Sequence, residues 1–201
     1  MVERASVANF SERAWLYRQG DTARRLWLVE AGLVRLSNVT PEGDDVLVRF
    51  AKPGEVFGYF AIALDGPNPI AAQAVHASRL VVWDSQTALQ LMQTFPRVAL
   101  NLFSLVARDA NYFNERALRL QTQEVGRRVA WAVSELARTI GEPTHGGVLI
   151  SHGVAQRELA ELAGTTIFTV SRELSKLENE GILQKQRGRI FVKHPEKLAA
   201  L

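Results

Sequence analysis

Apolar and polar positions change rhythm along this chain. Up to about residue 94, short alternating or apolar runs (Leu26 to Val29, Leu33 to Leu36, Val46 to Phe50, Leu80 to Trp83) are separated by glycine-bearing turns at Gly20-Asp21, Gly32, Gly43-Asp44, Pro53-Gly54 and Asp65-Gly66-Pro67. That spacing predicts short antiparallel strands closing into a roll or barrel. From Thr94-Phe95-Pro96 the period becomes helical, with Pro96 where a helix has no use for an N–H. Leu102, Val106, Phe113, Ala117 and Leu120 then recur at helical spacings, with Asn101, Arg108, Asn111 and Glu115 between them. A seam of that length predicts parallel pairing with a second copy, or packing of the same face on the roll. A second helix, Glu124 to Ile140, carries Val125, Val129, Val133, Leu136 and Ala137, and a hinge is expected around Gln121 to Glu124.

Between Gln156 and Val192 three positions have little steric freedom. Ala160 sits where two helices would cross, Gly164 closes the first in a left-handed conformation, and Val170 plugs the wedge between them. Thr166 is a natural N-cap for the second helix and Gly181 a stop after its last turn. Strand, turn and strand follow at Ile182-Leu183, Arg187 to Arg189 and Ile190 to Val192, so the segment is predicted to be a winged helix-turn-helix.

At 100° per residue, Val170, Leu174 and Leu177 form a buried stripe with Ile167 at its margin. Phe168, Ser171, Arg172 and Ser175 project from the opposite side, flanked by Thr169 and Lys176. Together with Thr166 and Gln156 they make the mixture that binds phosphates and reads base edges in a major groove. Arg172 is the best candidate for a base contact, through guanine O6 and N7 together, and its alternatives are a neighbouring carboxylate or a phosphate. Phe168, exposed opposite the buried stripe, calls for a thymine methyl or a protein neighbour. Residues 182–194 hold Lys185, Arg187, Arg189 and Lys193 and no acid, a wing suited to straddling phosphates.

Composition narrows the classes. A net charge of +3 puts any nucleic-acid affinity on a local basic surface, and the absence of cysteine excludes disulfides, thiol switches and cysteine-ligated clusters. No run approaches the ~20 apolar residues of a membrane span, and there is no N-terminal signal pattern, so a soluble cytoplasmic protein without membrane contact is expected. No phosphate loop, HExxH, GxSxG or histidine cluster is present, and His145, His152 and His194 are scattered, which argues against an enzyme. A ligand-binding or protein-interaction module is the stronger alternative; the basic wing beside the helix-turn-helix stands against it.

A β-roll, a long helix and a C-terminal winged helix-turn-helix, in that order, resemble the catabolite activator or Crp-Fnr family of bacterial transcription regulators. The resemblance is carried by Arg18 to Asp21 (RQGD), Leu28 to Leu36 (LVEAGLVRL), Pro53 to Gly58 (PGEVFG), Leu159 to Thr166 (LAELAGTT) and Thr169 to Arg172 (TVSR). It implies an α+β chain with a sensor roll over residues 1–94, a dimerisation helix and hinge over 95–123 and a DNA-binding domain over 124–201. It also implies a homodimer on a two-fold symmetric site in double-stranded DNA, with RNA polymerase as a further partner if the protein activates.

The chain departs from that family at its input. Cyclic-nucleotide-binding members follow the Phe-Gly of the roll with a ribose-binding glutamate and later present an Arg-Ser pair; here Phe57-Gly58 is followed by Tyr59, and the later segment reads Pro69-Ile70-Ala71-Ala72. A buried cyclic phosphate without such donors is poorly compensated, so cyclic AMP is not expected as the ligand. A haem-binding histidine would have to be His76, and a lone histidine is more often a hydrogen-bonded residue, so no cofactor is expected. What is left is an apolar effector in a cavity formed by Tyr59, Phe60, Ile62, Leu64, Ile70 and Ala71, or no effector, the same residues filling the roll. Ile167 and Phe168 stand where many relatives place a base-reading arginine and glutamate, and Ala155 replaces the usual hydroxyl cap of the preceding helix.

Overall fold

A computed structural model describes residues 5–63, 66–150, 156–186 and 188–200. The chain divides into two compact units, one ending at Tyr112 and one beginning at Phe113.

The first unit contains β1 (Ser6–Phe10), β2 (Trp15–Tyr17), β3 (Arg25–Ala31), β4 (Val34–Val39), β5 (Asp45–Ala51), β6 (Val56–Phe57), the short α1 (Phe60–Ala63), β7 (Ala71–Ala74), β8 (Ser78–Asp84), α2 (Ser85–Thr94) and the start of α3 (Pro96–Thr122). Its strands form two antiparallel sheets, ordered β1-β8-β3-β6 and β2-β7-β4-β5. Trp27, Val29, Leu80 and Val82 from the first sheet meet Val34, Leu36, Ala51 and Ala72 from the second in one core. The expected roll is therefore observed, and aromatic rings fill its interior: Trp27 stacks on Phe57 with centroids 6.2 Å apart, and Tyr17 lies 6.2 Å from Trp27. In β8 the buried residues Ser78, Leu80 and Val82 alternate with Arg79 and Val81, the period-two signature of a sheet with a distinct inner face. Helix α2 starts where Asp84 caps it, its carboxylate accepting from the Thr87 amide at 2.8 Å and the Thr87 hydroxyl at 2.6 Å.

No residue of α3 is fully buried. Half-buried positions recur as Val98, Leu102, Leu105, Asp109, Tyr112, Arg116 and Arg119. The exposed apolar set Phe103, Val106, Ala110, Phe113, Ala117 and Leu120 recurs with the same alternation of three and four. A heptad spacing keeps each set on one face, so two parallel stripes run along the helix, about 100° apart. This corrects the expected seam. Leu102 lies on the inner stripe, and Phe103, 71% exposed, stands in the outer one.

The second unit holds the end of α3, then α4 (Val125–Ile140), β9 (Glu142–Thr144), β10 (Gly147–Ile150), α5 (Gln156–Ala163), α6 (Ile167–Asn179), β11 (Leu183–Gln186), β12 (Arg189–Val192) and α7 (Pro195–Ala200). Its antiparallel sheet runs β11-β12-β10-β9, so the expected two-stranded wing is extended by a hairpin following α4. Val129, Val133 and Leu136 of α4 are buried, as are Leu159 and Leu162 of α5 and Val170 and Leu174 of α6. The helices part where a hinge was expected, α3 ending at Thr122 and Glu124 preceding α4, but the boundary between units falls earlier. The reason is that the last turns of α3 pack within the second unit. Arg116 donates to the Glu161 carbonyl at 2.8 Å, and Arg128 of α4 donates to the carbonyls of Leu120 at 3.2 Å and Gly164 at 3.4 Å. Among the described residues no helix is long and apolar enough to cross a membrane.

Candidate nucleic-acid interface

The turn between α5 and α6 is built as its residues dictate. Gly164 has φ 59°, a backbone conformation that favours glycine, and the Leu120 Cδ2 methyl lies 2.5 Å from where a Cβ would stand. Leu120, expected in the intermolecular seam, thus already packs on the turn of its own helix-turn-helix. Thr166 caps α6, its hydroxyl oxygen accepting from the Thr169 amide at 3.2 Å. Val170, Leu174 and Leu177 are buried, and Ile182 closes the helix end by donating its amide to the Leu177 carbonyl at 3.0 Å.

With that stripe fixed, the opposite face of α6 is presented outward. Phe168 is 87% exposed, and the Arg172 side chain is 64% exposed. Lys176 is also exposed, while Thr169, Ser171 and Ser175 are half-buried. Gln156 is the half-buried first residue of α5 and Arg189 is exposed on β12; Arg187, Ala155 and His152 lie outside the described residues. Lys185, expected among the phosphate-binding residues of the wing, is engaged within the unit. Its ammonium donates to the Ser175 hydroxyl at 2.8 Å and pairs with Glu178 at 3.2 Å, while its amide donates to Glu178 at 2.7 Å. Lys185 and Ser175 therefore join β11 to α6, while Arg172, Lys176, Arg189 and Lys193 are exposed basic side chains of α6 and the wing.

Sequence reasoning missed Glu173. Its side chain is only 7% exposed, and its carboxylate accepts from Arg172 Nε at 3.2 Å and pairs with Lys176 at 2.9 Å. A Cβ on Gly126 of α4 would come within 3.2 Å of that carboxylate, so Gly126 makes room for it. Burial opposes the charged form, but the hydrogen bonds and charges of Lys176 and Arg172 outweigh it and hold the carboxyl below its ordinary range. The pair engages Arg172 through Nε and orients an exposed guanidinium. Because the folded pKa lies below the unfolded one, this carboxylate stabilises the fold above the ordinary glutamate pKa, and the contribution is lost as pH falls through the depressed value. Glu173→Gln is expected to lower the urea midpoint at pH 7, and the difference from wild type should shrink toward pH 4. A constant difference would mean that the effect is one of packing.

Residues 7–95 match the cyclic nucleotide-binding domain family and residues 127–201 the Crp-like helix-turn-helix domain family. The chain is 32% identical over 178 residues to the cyclic AMP receptor protein of Thermus thermophilus, covering 89% of this chain and 79% of that protein. The chain belongs to the Crp/Fnr family. A CRP-like cAMP-activated global transcriptional regulator of Mycobacterium tuberculosis is 23% identical over 99% of this chain and 89% of that protein. FixK2 of Bradyrhizobium japonicum shares the fold with a TM-score of 0.83 at 24% identity, covering 98% of this chain and 96% of that one. TTHA1359, a CRP/FNR family transcriptional regulator of Thermus thermophilus, gives 0.80 at 26% identity over 98% and 99% of the two chains. As a Crp/Fnr protein the chain is a DNA-binding transcription regulator.

Tyr59, which follows the Phe-Gly of the roll, is engaged by the protein's own side chains. Tyr59 donates its hydroxyl to Asp109 of α3 at 2.9 Å. Arg49 of β5 reaches the same carboxylate at 3.2 Å and Glu55 at 3.1 Å. Burial first, then the adjacent Asp109 carboxylate, pushes the Tyr59 hydroxyl above its ordinary range and keeps it a donor. Two carboxylates already face one guanidinium, so a cyclic phosphate placed there would add negative charge without a free partner, and these residues do not fit it. For two of the residues expected either to line an effector cavity or to fill the roll, the second arrangement is seen. Ile70 packs against the aromatic core and Ala71 is buried in β7, because the roll is filled by rings and β7 must lie flat between β2 and β4. Phe60 and Ile62 are half-buried on α1, with Phe60 against Tyr59 at 4.9 Å; Leu64 lies outside the described residues. His76 sits in the turn between β7 and β8, where its carbonyl accepts from Ser78 at 2.8 Å, and the described residues contain no cluster of three or more metal-ligating side chains.

Proposed function

We propose that the protein binds as a homodimer to a palindromic operator, reading bases with the exposed face of α6, and that it does so without a cyclic nucleotide. The observation that carries the reading is the orientation of Arg172, held through Nε by buried Glu173 with its guanidinium outward. A planar fork presented from the first turns of a recognition helix is suited to the O6 and N7 of guanine. Lys176, Arg189 and the capping residue Thr166 are placed to take phosphates. The outer stripe of α3 supports the dimer: Phe103, Val106, Ala110, Phe113 and Ala117 repeat with heptad spacing and lie exposed in the single chain. Two recognition helices related by a dyad need half-sites about one DNA turn apart. The Tyr59, Asp109 and Arg49 cluster supports independence from cyclic AMP, since it ties α3 to the roll with the protein's own side chains.

Selection of bound duplexes from a random library, with and without cyclic AMP, tests all three statements. An enriched palindrome in both arms is the expected result. Enrichment only with cyclic AMP would overturn the reading of Tyr59, unpaired half-sites would overturn the dimer, and no enrichment in either arm would overturn binding without an effector.

A further inference from the structure

The first unit carries a cavity of about 460 Å³ that is separate from the filled interior of the roll. It lies between β3, β8, α2 and the first turns of α3, with Leu28, Trp83, Leu91 and Leu102 among its walls and Arg97 and Asn101 among its polar lining residues. The volume falls within the roughly 300–1,000 Å³ typical of small-molecule pockets. Its position follows from β3, whose apolar run covers both faces of the sheet: Trp27 and Val29 point into the roll, while Leu26 and Leu28 face α2 and α3 across the cavity.

One charged group stands at this hydrocarbon surface. Arg97 is exposed, has no ion-pair partner among the described residues, and lies in the first turn of α3, where the helix dipole adds to its positive field. No aspartate or glutamate is among the described residues that line the cavity. We infer that it is a binding site for an aliphatic monocarboxylate, the chain occupying the apolar walls and the anionic end lying toward Arg97. An uncharged hydrocarbon would leave Arg97 unused, and a cation would meet it unfavourably.

Calorimetric titration of the full chain with octanoate, decanoate, dodecanoate and dodecanol, below their aggregation limits, tests the assignment without any operator. Its failure is therefore distinguishable from failure of the DNA-binding reading. One carboxylate should bind per chain, tightening about fourfold for each added methylene. Arg97→Glu should weaken dodecanoate at least tenfold and leave dodecanol unchanged. Leu102→Trp, filling the cavity from α3, should abolish both, and Met92→Trp from α2 checks this should the first variant fold poorly. Absence of saturable binding, or binding indifferent to both filling variants, would overturn the site. An unchanged Arg97→Glu variant would overturn the carboxylate. If only chains separated by Phe113→Glu bound the probe, the occupant would be a second copy, and the proposal would fail.

Discussion

Phe113→Glu yields a monomer that still carries a folded helix-turn-helix but has lost most of its operator affinity. In the single chain Phe113 is 36% exposed, near the middle of the outer stripe of α3. In a parallel pair related by a dyad, residue 113 meets its own copy, and two carboxylates there would be desolvated against each other and against Phe103, Val106 and Ala110. An unpaired buried charge costs several kcal/mol, about the stability of a modest interface. Loss of the second half-site also removes the effective-concentration gain, so affinity for the full palindrome should fall about 10²–10⁴-fold. Sedimentation and an operator titration on one sample check both parts, with Phe103→Glu expected to behave alike. A dimer of unchanged stability in either variant would move the interface off this stripe.

Arg172→Ala separates base reading from mere charge. A bidentate contact to guanine discriminates by about 1–3 kcal/mol. Counted over two half-sites, the best operator should be bound roughly 30-fold to 10⁴-fold more weakly, with preference relaxed at one base pair in each half-site. Arg172→Lys keeps the charge beside Glu173 but not the planar fork, so it should retain more affinity while losing the same preference. A loss spread evenly over all sequences, with a shallower salt dependence, would instead make Arg172 a phosphate contact. The same operator with uracil for thymine examines Phe168. Weaker binding there, absent in Phe168→Ala, is the outcome expected if the exposed ring covers a thymine methyl.

The parts legible in the sequence were those that sterics leave no choice about. Gly164, Thr166 and Val170 each do in the structure what their offsets implied, and the strands from Leu26 to Phe50 appear where the alternation placed them. β7 was not legible because Ala71 to Ala74 carries no β-branched or aromatic residue; it is a strand because only small side chains fit between the ring-filled core and its neighbours. Helix α2 was hidden by its shortness, although Asp84 followed by Thr87 was a capping signal within reach. Glu173 reads locally as a solvated acid, and its burial depends on Gly126, far away in the chain. The cavity beside α2 was not legible for a related reason. Its walls come from five separate elements, β3, β6, β8, α2 and α3, and the one hint was that Leu26 to Val29 is apolar at every position, a run expected of a strand covered on both faces.

The carboxylate shared by Arg172 and Lys176 also bears on how such a regulator could acquire new targets. Exchanging Arg172 alters not only what the helix recognises but also the compensation of a negative charge enclosed against α4, so preference and folding stability change together at that position. Ile167 and Phe168 are mounted differently. Both are exposed, and neither takes part in an ion pair or caps a helix end, so they can vary with little structural consequence. Adaptation to a different promoter is therefore easiest through the first turn of α6, with the guanidinium retained as a fixed anchor around which the remaining contacts are rewritten.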